Sequence, residues 1–165
     1  MRVPIRKPGK YTHLKPDPHL TEEKFNELKN KLARLKKSQP VAAAEVARLA
    51  EMGDFSENAA YQMAKGHLRG INQRILELED HLHRALIIKP MKNTQTVQLG
   101  HRVTIETAGK QKTYLVLGSS ETNPGEGIIS RNSPIGSALM GHQVGDKVKI
   151  QPADKGIECR IIKIE

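Results

Sequence analysis

LTEEKFNELKNKLARLKKSQPVAAAEVARLAEMG, residues 20–53, decides the architecture. Phe25, Leu28, Leu32, Leu35, Gln39, Ala42, Val46 and Leu49 follow one another at gaps that alternate three and four. That spacing is the seam of a coiled coil. Thr21 is the expected N-cap, with Glu22 and Glu23 placed to meet the positive end of the helix dipole. Pro40 removes one backbone donor and predicts a bend. Beyond the stretch a second seam runs through Tyr61, Ala64, Leu68, Ile71, Ile75, Leu78, Leu82 and Ala85, again at alternating gaps. Two such helices joined by a short segment around Gly53 predict an antiparallel hairpin over residues 21–88. At ~1.5 Å per residue the rod is on the order of 45 Å long, with its far end solvated on nearly every side.

Residues 1–20 hold Pro4, Pro8, Pro16 and Pro18, no apolar period, and five Lys/Arg against one Asp. They read as a basic, mobile or extended leader. After Lys89 the pattern changes. HRVTIET, KTYLVLG, GIIS, DKVKI and IECRIIKIE are short, β-branched and partly alternating runs separated by turn residues. NSPIGSALMG between them reads as a short helix with Ser133 as N-cap, Pro134 in the first turn and Gly141 as stop. The expectation over residues 94–165 is a compact antiparallel sheet with one helix packed on it, giving an α+β chain.

The totals narrow the function classes. At 165 residues, 37% hydrophobic and 3% aromatic with no Trp, the cores rest on aliphatic packing, and large aromatic cofactor pockets are not expected. Cys159 is the only cysteine, so no internal disulfide forms, and it reads as a small buried hydrophobe on a strand. No run has the ~18 apolar residues of a membrane span, and the first twenty residues lack the apolar core of a secretory signal. A cytoplasmic protein is expected. The formal charge of +9 suggests an anionic partner, yet residues 21–88 carry eleven basic and ten acidic side chains. Any charge signal on the rod is therefore local.

One such signal is Asp54 and Glu57, three apart where the hairpin turns. As an Asp-x-x-Glu capping box they only start the second helix. At the same spacing, with Cβ atoms ~5–6 Å apart, both carboxylates can converge on one ion. Mg²⁺ takes as few as one or two protein carboxylates and completes its octahedron with water and phosphate oxygens, so the pair makes a half-site. Asn58, Gln62, Lys65 and Arg69 then form a polar-to-basic stripe along the second helix, suited to a phosphate backbone or simply to solvent. Met63 reads as packing, and a metal site at His81 and His83, two apart on a helix, is not expected.

GDFSENAAYQ, residues 53–62, resembles the Gly-Asp-x-x-Glu-Asn-Ala-x-Tyr signature of the bacterial Gre transcript-cleavage factors. NSPIGSALMGHQVGD, residues 132–146, is similar to the same family's Asn-Ser-Pro helix and Val-Gly-Asp turn. The likeness runs from about Leu20 to Glu165, and Ser56-Glu57-Asn58, Tyr61-Gln62, Lys65 and Leu68-Arg69 look more like the GreB branch than GreA. The resemblance implies a coiled-coil hairpin followed by an FKBP-like domain that docks on RNA polymerase. It implies that the chain acts on a backtracked polymerase, entering the secondary channel with the hairpin and stimulating cleavage of the nascent RNA 3′ end. Asp54 and Glu57 would then help hold a catalytic Mg²⁺ shared with the polymerase, an ion the free protein is not expected to retain. Lys65 and Arg69, with Asn58 and Gln62, would steady RNA, and Ser133, Pro134 and Ile135 would lie at the docking surface. The polymerase is the enzyme in this reading, and the chain is an accessory factor expected to be a monomer. A Gre-like paralogue that inhibits without cleavage, an FKBP-like isomerase or chaperone, and a plain nucleic-acid-binding coiled coil stay open as alternatives.

Overall fold

The computed structural model describes residues 17–51, 59–89, 95–150 and 156–165. Helix α1 spans Glu22–Ala50 and α2 spans Ala59–His83. Thr21 caps α1: its backbone is extended and its hydroxyl accepts the Lys24 N–H at 3.2 Å. Every seam position lies turned inward to some degree, with Leu28, Leu49, Ile71 and Ile75 buried. Each such side chain contributes ~1.5–3 kcal/mol, so the apolar seam, not the surface pairs, holds the rod together. Gln39 donates to the Asn72 side chain at 2.8 Å, and Lys36 meets Glu79 at 2.6 Å, an exposed pair of small worth. Early residues facing late ones make the pair antiparallel. Helix α1 continues without a break through Pro40, whose ring is exposed.

The base of the hairpin is closed by two short strands. Strand β1, His19–Leu20, pairs in parallel with β2, Leu86–Ile87. Leu86 N–H donates to Pro18 at 2.7 Å and Ile88 N–H to Leu20 at 2.8 Å. Asp17 and Leu20 are buried. The last four residues of the stretch read as a leader are thus part of the fold, because they supply a strand edge and an apolar plug that α1 and α2 alone lack. Residues 1–16 lie outside the described residues.

The rest is a five-stranded sheet in the order β5-β4-β3-β7-β6. Its strands are β3 Arg102–Thr107, β4 Lys110–Leu117, β5 Ile128–Ser130, β6 Lys147–Ile150 and β7 Ile157–Ile164. Alternation sends Val103, Ile105, Val148, Ile150, Cys159 and Ile161 to one face, where α3, Pro134–Leu139, covers them with Leu139. A register shift opposite Thr104 and Ile105 lets Ile164 point inward as well as Ile161, three residues away. One expectation is corrected. Strand β5 pairs with β4 in parallel, Leu115 facing Ile128 and Leu117 facing Ser130, because two 3-10 turns at Ser119–Glu121 and Pro124–Glu126 carry the chain back before it pairs. Cys159 is buried in this core as expected, and burial pushes its thiol pKa up.

Candidate functional site

Ala50 and Ala59, the helix ends that bracket the acidic motif, stand at the end of the hairpin opposite the β1–β2 pair. Asp54, Glu57 and Asn58 lie outside the described residues, as do Phe55 and Ser56. Following them on α2, Gln62, Lys65 and Arg69 are all exposed on the face away from the seam. Lys65 Nζ sits 5.8 Å from the centre of the Tyr61 ring, close enough for a cation–π contact. Among the described residues no salt bridge is formed by Lys65 or Arg69, and both side chains are exposed. Met63 corrects the reading of it as packing: it is 77% exposed, one position past Gln62 and off the seam.

The second candidate region is the concave side of the sheet domain. Ile105, Tyr114, Ile129, Pro134, Ile135 and Ile157 line a mainly apolar groove of about 590 Å³, with Lys110 and Lys112 at its edge. Ser133, Pro134 and Ile135 all reach it. Their roles differ. Ser133 Oγ accepts the Gly136 N–H at 3.0 Å and donates to the Ser130 carbonyl at 2.7 Å, so its side chain is committed to starting α3. Pro134 is exposed, and Ile135 is half-buried against the core. Those two carry the accessible apolar surface.

Sequence reasoning missed the joint between hairpin and sheet. Asp17, its carboxylate 3% exposed, takes the His19 N–H at 3.1 Å and His19 Nδ1 at 2.9 Å on one oxygen. The other oxygen faces the Ser119 N–H at 3.3 Å, Asn132 Nδ2 at 3.4 Å and Arg131 Nε at 3.4 Å. Burial raises the pKa of this carboxyl, but bonds from the His19 backbone and ring, the Ser119 backbone and the Arg131 charge outweigh it and hold it below the ordinary value. His81, buried in the last turn of α2, meets the Asp17 carbonyl at 3.2 Å. The Thr21 N–H donates to Glu121 at 2.9 Å, and the Thr21 hydroxyl donates to the same carboxylate. No period or motif signals any of this, since the Asp17 partners other than His19 lie 64 to 115 residues away.

Among the described residues no group of three or more His, Cys, Asp or Glu side chains is placed to hold a metal ion, and no helix is long and apolar enough to cross a membrane. The family model described as "Transcription elongation factor, N-terminal" matches residues 19–87. The one described as "Transcription elongation factor, GreA/GreB, C-term" matches residues 92–165. Transcription elongation factor GreA of Bacillus cereus is 35% identical over 150 residues, covering 88% of this chain and 95% of its own. GreA of Thermomicrobium roseum is 37% identical over 149 residues, covering 88% and 96%. Both carry the GreA name, so the GreB lean rests on the residues read between Ser56 and Arg69. Among solved structures, GreA factor homolog 1 (Gfh1) of Thermus thermophilus is 29% identical with a TM-score of 0.42, covering 90% of this chain and 99% of that one. With both halves matched in order and full-length relatives above 30% identity, the chain belongs to the GreA/GreB family of transcription elongation factors.

Proposed function

We propose that this chain binds backtracked bacterial RNA polymerase in the cytoplasm, enters its secondary channel with the hairpin, and stimulates hydrolysis of the nascent RNA near its 3′ end. The observation that carries the reading is the slender, unlayered hairpin: α1 and α2 pack only on each other along most of their length, and the segment holding Asp54 and Glu57 joins their far ends. A two-helix rod is about as thin as a folded probe gets, with helices ~10 Å across. The two carboxylates suit Mg²⁺ as a half-site, since the ion accepts one or two protein oxygens and draws the rest from water, phosphate or a partner. When bound, a second Mg²⁺ supplies charge that supports the attacking and leaving oxygens of phosphodiester hydrolysis. The chain's own part is to present two negative oxygens, while Lys65 and Arg69, exposed along α2, offset the repulsion that those carboxylates would exert on RNA. The apolar groove beside Pro134 and Ile135 supports docking of the sheet domain on the polymerase, because an accessible apolar concavity of this size suits a protein side-chain cluster.

The test is direct. Added with Mg²⁺ to a stalled, backtracked elongation complex, the protein shortens the RNA and leaves it re-extendable. A Gre-like inhibitor would bind the same complex and give no shortened RNA. An isomerase built on the sheet domain would act on prolyl peptides without polymerase.

A further inference from the structure

Asp17 is where the hairpin and the sheet domain meet. Its carbonyl oxygen meets His81 of α2, and its carboxylate binds the β1 backbone on one side and Ser119, Arg131 and Asn132 of the sheet domain on the other. A second tie, Thr21 to Glu121, anchors the first residue before α1 through both its N–H and its hydroxyl. Gly118 allows the two parts to touch: a Cβ there would stand 2.1 Å from the His19 carbonyl oxygen. The three contacts sit at one end of a lever. Helix α1 has 29 residues, so its length is ~43 Å, and a swing of about 5° at the base moves the far end by roughly 4 Å. Carboxylate ligands of Mg²⁺ work at ~2.0–2.1 Å. A misplacement of ~1 Å at a reacting centre costs on the order of a hundredfold in rate.

We infer that Asp17, seconded by the Thr21–Glu121 tie, is a positioning residue that fixes the direction of the hairpin on the sheet domain. A buried carboxylate that took only local bonds would cap a turn. This one is shared between the element that enters the hairpin and three residues of the other domain, so removing it releases a relative motion and not only a turn. The consequence for cleavage rests on the proposed function. The consequence for the joint does not.

Two cysteine substitutions at exposed sites, Ala47→Cys on α1 and Gln111→Cys on β4, take a spin-label pair in the full-length protein, since Cys159 is buried. The expected result is one narrow distance with Asp17, a broad or displaced distribution with Asp17→Ala, and an intermediate one with Asp17→Asn, which keeps an acceptor but loses the charge facing Arg131. Should Asp17→Ala fail to fold by circular dichroism, Glu121→Ala makes the same test, because it leaves Asp17 and the Thr21 cap in place. Distributions matching the unsubstituted protein in the folded variants overturn the inference. In the cleavage assay the loosened variants lose about tenfold or more of the maximal rate, while the concentration for half-maximal stimulation changes little. An unchanged maximal rate with a broadened joint overturns the positioning role. If the unsubstituted protein cleaves nothing, the proposed function fails, and the distances still decide the joint.

Discussion

Gly118→Ala sets two effects against each other. The backbone there is extended, φ −70° and ψ 163°, which alanine adopts freely. By unfolded-state entropy alone the change would stabilise the protein by ~0.4–1 kcal/mol. The added methyl, however, lands 2.1 Å from the His19 carbonyl oxygen and 3.1 Å from its carbon. Those are backbone atoms, and they cannot swing aside as a side-chain tip would. His19 is held in β1 by pairing with Leu86, and the neighbouring Pro18 and Leu20 carbonyls accept bonds at 2.7 and 2.8 Å. Relieving the clash needs a shift of about 1 Å, and overpacking of that kind costs ~1–3 kcal/mol. The clash therefore wins, with a net loss on the order of 1–2 kcal/mol and a melting temperature lower by several degrees. Gly66→Ala is the control: it lies exposed on α2 with nothing within 4 Å of the new methyl, so it should gain roughly 1 kcal/mol in a helix. Thermal melts of both proteins decide the matter. If Gly118→Ala melts at or above the parent while Gly66→Ala behaves as expected, the close approach of β1 to the sheet domain is not a constraint.

Asp54→Asn and Glu57→Gln should each abolish stimulated cleavage while leaving polymerase binding intact. A pure capping role would instead lower hairpin stability by ~0.5–2 kcal/mol and spare cleavage, as a melt and a cleavage gel on the same samples would tell. Ile75→Ala, in the buried seam, should cost ~2–5 kcal/mol by urea titration, with little local relaxation available in a two-helix rod. Ala108, at φ 49° in the tight turn between β3 and β4 with Gly109 beside it, holds a conformation that disfavours a Cβ, so Ala108→Asn should raise the melting temperature by about 1–3 °C, and a lower value would refute the strain. The Asp17 carboxyl has a folded pKa below its ordinary value of 3.8, so its contribution to stability is present above that pH and is lost as pH falls through the folded value. Below pH 3.8 the parent should therefore lose stability faster than Asp17→Asn, and parallel acid melts would contradict this.

What could be read from the residues, and what could not, follows from how far each signal travels along the chain. The seams of α1 and α2 were legible because helix period is a local rule, repeated at every turn from Phe25 to Leu49 and from Tyr61 to Leu82. The Thr21 and Ser133 caps were legible because their partners sit three residues away. Met63 was misread because one apolar residue off the seam has no pattern to judge it by. The direction of β5 was misread because alternation reports which face a residue takes and says nothing about parallel or antiparallel pairing, which the turns over 119–126 decide. Asp17 is the extreme case. Among prolines and basic residues it looks like solvated coil, and only closure of a long loop brings Ser119, Arg131 and Asn132 to it. On the proposed function, the hairpin needs both kinds of information: which residues to carry, written locally in a motif, and where to aim them, written in contacts that exist only after folding. The seams were therefore readable from the chain and the joint was not, which is why a substitution at Asp17 tests the structure more sharply than one in the seam.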